Sequence, residues 1–194
     1  LVEAVAEATN GSVIKVMKDT TETQTITIDK DITLNTNGKT ITISNESMGI
    51  IIAATCVFNG NGKIYANNVS APVPGGLVRT NSSSGSLTID GVDMENGDYY
   101  ALSPSYSGSV TINSGNIKKT TAFSGSLTVN GGSIEQINVW NNVTININGG
   151  TIGTIDCTVA DSNTTINIGD ESKEICENPV IHKLLDYLEL TNFG

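Results

Sequence analysis

A short phrase recurs along this chain. SLTIDG at 86–91, SVTINSG at 109–115, SLTVNGG at 126–132 and TININGG at 144–150 each place an alternating β-branched strand ahead of Asn or Asp and then Gly. A unit this short cannot bury its own apolar side, so its repetition implies that the copies stack. With the closing Asn or Asp as a marker, Asp90, Asn113, Asn130 and Asn148 fall 23, 17 and 18 residues apart. Upstream, Asn37 of NTNGKTI and Asn61 of FNGNGKI extend the series with intervals of 24 and 29, and Asn167 of TTINIGD adds a poorer copy. This period is too short for a propeller blade and too irregular for a leucine-rich repeat. It suits one coil of a β-solenoid whose loops differ in length.

Within each copy the alternation assigns the faces. Leu87 and Ile89, Val110 and Ile112, Leu127 and Val129, and Ile145 and Ile147 point inward; Thr88, Thr111, Thr128 and Asn146 point out. Past the turn, Val92, Ile117, Ile134 and Ile152 supply a second inward set. The Asn/Asp–Gly element is therefore a corner, where Asn and Asp tolerate left-handed backbone and Gly enters it without a Cβ clash. Stacked corners bring Asn113, Asn130 and Asn148 into register, so that their amides bond up and down the stack. NG and GG also make hairpins, and an antiparallel sandwich is the alternative fold. Repetition of the whole strand–corner–strand unit favours the solenoid.

Composition agrees with this reading. Only 15% of residues are charged, and Thr, Asn, Ser, Ile and Gly fill the remainder, which is strand and turn chemistry. A length of 194 residues fits one domain. The ends differ from the middle. LVEAVAEAT at 1–9 sets Leu1, Val5 and Ala8 on one helical face before Asn10–Gly11 stops it, so 1–10 reads as a helix capping the open first coil. Coils follow over 11–177. Asn178–Pro179, with Ile181, Leu184, Leu185 and Leu188 at helical spacing, makes 178–194 a C-terminal cap or a last rung.

The first coils resemble the opening of pectate-lyase-like right-handed β-helix domains of bacterial surface proteins. The resemblance rests on Gly11, Ile14, Val16 and Asp19, then Ile26, Ile28, Lys30, Ile32, Leu34, Gly38, Lys39 and Ile41, and it covers roughly 10–43 well. Further on, IGDESKEICENPVI, with Gly169, Asp170 and Asn178–Pro179, also looks like a rung of such proteins. It implies an all-β, single-stranded right-handed parallel β-helix, or β-solenoid, with a short N-terminal capping helix. That fold hosts lyases, hydrolases, adhesins and phage tail proteins, so function has to come from a site.

Charge removes some partners. The net charge is −10, spread over both halves, and Arg79 is the one arginine, so nucleic acid and anionic membranes are disfavoured. No apolar run approaches the roughly 20 residues of a membrane span, so no membrane insertion is expected. The chain opens at Leu1 without Met or signal peptide and reads as a processed mature protein or part of a longer chain. High Thr, Asn, Ser and Gly with little Cys suggests a secreted or cell-surface protein. Cys56, Cys157 and Cys176 match no zinc pattern; a Cys157–Cys176 disulfide stays open.

Three functional classes follow. The leading one is a non-catalytic surface module, an adhesion or ligand-presenting domain whose partner is a polysaccharide or a host or cell-surface ligand. Its candidate contacts are Tyr99, Tyr100, Tyr106 and Trp140, because sugars are held by an aromatic platform with polar neighbours; aromatics that finish the core or shield a loop are the structural alternative. The second is a calcium-dependent lyase of uronic-acid polymers. In it Arg79, in the loop-like APVPGGLVRTNSSSG, is the base, and Asp90, Asp93, Glu95 and Asp98 hold Ca²⁺. That reading requires Arg79 in a groove beside those acids; a solvated acidic loop is the plain alternative. The third is a phage or virion fibre or spike segment, which predicts a trimer where the module allows a monomer. Apart from Ca²⁺ in the lyase reading no cofactor is implied, and His182 lacks a partner motif. Thr25–Ile26–Thr27 and Thr40–Ile41–Thr42 have the look of an ice-binding array, but later rungs break the pattern.

Overall fold

In the computed structural model the chain winds as an all-parallel β-helix; residues 1–45, 49–67, 69–70, 75–158, 160 and 163–169 are described here. Three faces can be followed from coil to coil. The first face is an eight-stranded sheet: Ser12–Lys15, Ile32–Asn35, Thr55–Asn59, Ser86–Asp90, Ser109–Ser114, Ser126–Val129, Thr144–Ile147 and Thr165–Ile168. The second face begins with Thr20–Glu22, Thr40–Ile43, Lys63–Ala66 and Asp93–Asn96, and the third with Ile26–Ile28, Ile50–Ile52, Val78–Thr80 and Leu102–Ser103. From there Asn116–Ala122, Ser133–Val139 and Thr151–Asp156 each run along the second face and turn onto the third as one strand.

Coil length explains that change. Partner residues on the first face lie 31 apart at Thr55↔Ser86, 23 at Ser86↔Ser109, but only 17 at Ser109↔Ser126 and 18 at Ser126↔Thr144. The short coils have no residues left for a connection between faces. The coil holding Asp93–Asn96 does, and spends 97–101 on it. Asn96, fully buried, pins that connection: its Nδ2 donates to the carbonyls of Val69 and Tyr100, and its Oδ1 accepts from the Val69 amide.

The interior is a set of apolar stacks. Leu34, Phe58, Ile89, Ile112, Val129 and Ile147 align on the first face, and Ile41, Ile64, Met94, Ile117, Ile134 and Ile152 on the second, all buried. Every inward position expected from the alternation is buried, and Thr88, Thr111, Thr128 and Asn146 face out. Each fully buried Ile or Leu contributes about 1.5–3 kcal/mol, but only because the coils above and below cover it.

The corners behave as expected with two differences of register. Asn130 Nδ2 donates to Asn113 Oδ1 and Asn148 Nδ2 to Asn130 Oδ1, both at 2.9 Å. The left-handed residue in these corners is the glycine, at Gly115, Gly132 and Gly150. Upstream, the positions equivalent to Asp90 are Asn59 and Asn35, two residues before the expected Asn61 and Asn37. Asn37 and Asn61 themselves are the left-handed corner residues. Asn167 sits within its strand, donates to Asn146 Oδ1 at 2.8 Å, and does not extend the Asn148 ladder. The two Thr-Ile-Thr segments lie on different faces, the third and the second, so they build no common array.

The N-terminal helix is shorter than the expected 1–10 span, running Val2–Glu7, and it buries Val5, with Ala8 tucked in behind it. Glu22 occupies an inward position of the first coil; burial pushes its carboxyl up, but hydrogen bonds from the Leu1 ammonium at 2.9 Å and Thr20 at 2.8 Å outweigh that and hold it low. Cys56 and Cys157 are free thiols. Asp170, Cys176, Asn178–Pro179, His182 and the expected cap over 178–194 lie outside the described residues.

Candidate functional site

The outer surface of the third face is unusual for an outward-facing surface, because it is largely sealed. Ile51, Arg79, Ser103, Thr121, Asn138 and Asp156 stack in register there. Thr121 lies between inward Thr120 and Ala122, so alternation turns it outward, yet it is 0% exposed. Just past the ends of the Asn116–Ala122 and Ser133–Val139 strands come Phe123 and Trp140, whose ring centroids are 5.8 Å apart and tilted by 55°, a favourable aromatic arrangement. Thr121 and Phe123 on one coil and Asn138 and Trp140 on the next thus form a two-by-two patch, polar pair beside aromatic pair.

This patch collects unmade hydrogen bonds. Asn138 Nδ2 donates to Asp156 Oδ2 at 3.3 Å. A carboxylate accepts only, so the amide is oriented with Oδ1 turned away, and that oxygen is buried without a partner. Thr121 Oγ1 and Trp140 Nε1 are in the same condition. Three of the five such atoms among the described residues therefore sit in one place, the other two being Asn59 Oδ1 and Thr120 Oγ1. Each buried unpaired polar group costs about 1–3 kcal/mol, so this clustering concentrates an energetic cost on the third face.

Aromatic residues flank the patch on both sides. Tyr106 stands exposed at the corner leading from the third face back to the first, with left-handed backbone at φ 54°. The Arg79 guanidinium carbon lies 5.9 Å from its ring centroid, within reach of a cation–π contact. Tyr99, exposed, and Tyr100, half-buried, occupy the 97–101 connection on the other side. Burial and then the Asp156 carboxylate push the Tyr100 hydroxyl up, which puts Tyr100 in electrostatic reach of the lower end of the third face. The expected contacts thus divide into Tyr106 and Trp140 on one corner and Tyr99 and Tyr100 on the other. Arg79 is not on a loop: it lies within the strand Val78–Thr80, 9% exposed.

The carboxylates expected to share calcium are dispersed. Asp90 ends a first-face strand and accepts from Ser114 Oγ at 2.8 Å. Asp93 and Glu95 point out of the second face, one coil on from Lys63. Asp98 is exposed in the connection, where its main-chain oxygen accepts from Lys119 Nζ at 3.2 Å. Asp93 Oδ1 accepts from the Asn116 amide and side chain at 2.8 and 2.9 Å. Glu95 takes Lys63 Nζ at 2.6 Å and Lys118 Nζ at 3.5 Å. The hydrogen bond from Lys63, with the two ammonium charges, holds the Glu95 carboxyl below its ordinary range against slight burial. With Glu135 these residues line a shallow groove of about 330 Å³. Arg79 belongs to the other face, and among the described residues no group of three or more His, Cys, Asp or Glu side chains is placed to hold a metal ion.

Thr121, Phe123, Asn138, Lys63 and Lys118 were not singled out by sequence reasoning. A usable signal existed for the patch: T-A-F at 121–123 and N-V-W at 138–140 repeat polar–apolar–aromatic at an interval of 17, the short coil period. The chain matches no family model, and no significant match to it was found among curated proteins or among solved structures.

Proposed function

We propose that the protein is a non-catalytic binding module, secreted or displayed at a cell surface, whose ligand is a glycan chain held by the aromatic side chains along the edges of the third face. The observation that carries this reading is the set of solvent-accessible aromatic side chains along its edges, exposed Tyr99 and Tyr106 with half-buried Phe123 and Trp140 packed ring against ring. Sugars present an apolar ring face and a rim of hydroxyls, and are held by that combination. Coils are stacked about 4.8 Å apart, close to the rise per residue of an extended glycan, so successive coils can meet successive sugars. Exposed Tyr106 and Tyr99 extend the aromatic surface to either side.

The chain supplies its own reporter, since Trp140 is its single tryptophan. Titration with a panel of neutral and acidic oligosaccharides, followed by tryptophan emission and calorimetry, should give a saturable change with at least one glycan, lost in Trp140→Ala. Silence of both signals across the panel would end this reading. Ultraviolet absorbance on incubation with polygalacturonate and alginate, with and without Ca²⁺, runs alongside: a calcium-dependent rise abolished by Arg79→Ala would replace binding by β-elimination.

A further inference from the structure

Resting on that binding reading, we infer that the glycan is an uncharged, extended polymer of the β-1,4-linked glucan, xylan or mannan class, and that it runs parallel to the helix axis along the corner where the third face turns onto the first. Tyr106, Phe123 and Trp140 recur at that corner at an interval of 17. Main-chain bonds make the three positions equivalent: the Ser107 amide donates to the Ser124 carbonyl and the Ser124 amide to the Asn141 carbonyl. The residue before each of these is aromatic, so the corner carries one ring per coil. Just around it, on the first face, Ser109, Ser126 and Thr144 form a second column as partners on neighbouring strands. Ser109 and Ser126 are half-buried and Thr144 is exposed. A hydroxyl donates or accepts, and so meets a sugar hydroxyl in either role. Each coil thus offers one ring and one hydroxyl, and the next coil repeats them about 4.8 Å further on. A straight column with that step suits a chain whose sugars follow one another in a line. A glycan that coils turns away from it.

Charge narrows the class. Residues 99–117, 120–134 and 136–155 contain no Asp, Glu, Lys, Arg or His, and they carry both columns on all three coils. Lys118, Lys119 and Glu135, which interrupt these runs, precede the turn onto the third face, and Asp156, which ends the last run, belongs to the next coil. From the preceding coil, Arg79 approaches the Tyr106 ring but is only 9% exposed, and Asp90 lies at the opposite corner of the first face. No exposed cation among the described residues therefore stands on this corner to meet a carboxylate. A net charge of −10 also repels a polyanion at long range, and a desolvated charge here would go uncompensated.

Calorimetry and Trp140 emission with cellohexaose, xylohexaose and mannohexaose test this, with maltohexaose as the coiled neutral control and hexagalacturonate as the anionic one. At least one of the first three should bind about tenfold or more tightly than either control, with an affinity unchanged by salt between about 0.05 and 0.5 M. Tyr106→Ala, at an exposed side chain, should weaken that complex about tenfold, and by more than Tyr99→Ala does, with both urea midpoints near wild type. Were Tyr106→Ala to unfold, the ranking of the five oligomers by the wild-type protein would still decide. Equal or tighter binding of hexagalacturonate or maltohexaose, or a loss at Tyr99 as large as that at Tyr106, would overturn the inference and leave glycan binding standing. Silence with all five would also overturn it, and the wider panel of neutral and acidic oligosaccharides would then decide the binding reading itself.

Discussion

Gly38 and Gly132 occupy the same kind of corner, at φ 70° and 80°, but differ in what surrounds them. A Cβ on Gly38 meets nothing within 4 Å, whereas one on Gly132 comes 2.5 Å from the Gly115 carbonyl oxygen and 3.1 Å from the Gly115 nitrogen. Both Ala substitutions pay about 1–2 kcal/mol for left-handed backbone, and both regain about 0.4–1 kcal/mol because the unfolded chain becomes less flexible. Gly38→Ala should therefore destabilise by about 1 kcal/mol. Gly132→Ala must also push one coil off the next, and the obstacle is main chain that cannot rotate away. The same Gly115 oxygen accepts the Ser133 amide at 2.9 Å, so relieving the clash stretches that bond. Overpacking of this kind costs about 1–3 kcal/mol, giving roughly 2–4 kcal/mol for Gly132→Ala. Urea unfolding followed by circular dichroism should show a midpoint about 1 M lower than for Gly38→Ala. Hydrogen exchange should accelerate at Ser133 and Thr151, whose amides bond to the Gly115 and Gly132 carbonyls. Equal midpoints for the two variants would refute the claim that these glycines are retained for contact between coils.

Other perturbations address the core, the ladder and the titrating groups. Ile134→Ala, at a side chain 0% exposed, should cost about 2–5 kcal/mol in the same urea experiment; a loss under 1 kcal/mol would mean that the stacks collapse to fill space. Asn130→Ala removes a donor to Asn113 and an acceptor for Asn148 at an exposed corner, so about 1 kcal/mol is expected, and no measurable change would show the ladder to be incidental. The Glu95 carboxyl should titrate by NMR below its ordinary value of 4.5 and rise towards it in Lys63→Met. Because its folded pKa is the lower one, its small contribution to stability is present above the unfolded value and fades as pH falls through the folded value. In a Cys176→Ser background, the Cys56 thiol, buried and pushed up to about 12, should resist a thiol reagent until the chain unfolds, while half-buried Cys157, pushed up to about 11, reacts slowly.

How much of this was legible in the sequence depended on how local each feature is. Inward and outward positions of the short coils followed from alternation over four residues, and the Asn113–Asn130–Asn148 ladder from repeats 17 and 18 apart, with little room for error. Where NTNG and FNGNG offer two asparagines each, the pattern could not choose between them, and the register came out two residues late. Arg79 looked like part of a loop because Pro and Gly precede it, yet three residues suffice for a third-face strand when Ile50–Ile52 and Leu102–Ser103 lie on either side to pair with them. The dispersal of the four acids follows from the same geometry. Asp90 and Asp93 are three residues apart in sequence but belong to different faces, because the corner at Gly91 falls between them.

The third-face patch sits at the far end of that scale. Its four residues come from two coils, and Thr121 faces Asn138 only because the Asn116–Ala122 and Ser133–Val139 strands turn from one face to the next without a connecting loop. Had either coil carried a five-residue connection like 97–101, Phe123 and Trp140 would still be aromatic and Thr121 and Asn138 still polar, but nothing would force them into register. The short period that identified the fold is thus also what assembles the candidate site. This has a testable corollary: inserting two glycines between Lys118 and Lys119 should leave the first-face sheet intact by circular dichroism while abolishing glycan binding, since it restores a loop where the strand now turns. Retention of wild-type affinity by that insertion would place the ligand elsewhere, the second-face groove of Lys63, Glu95 and Lys118 being the next surface to test.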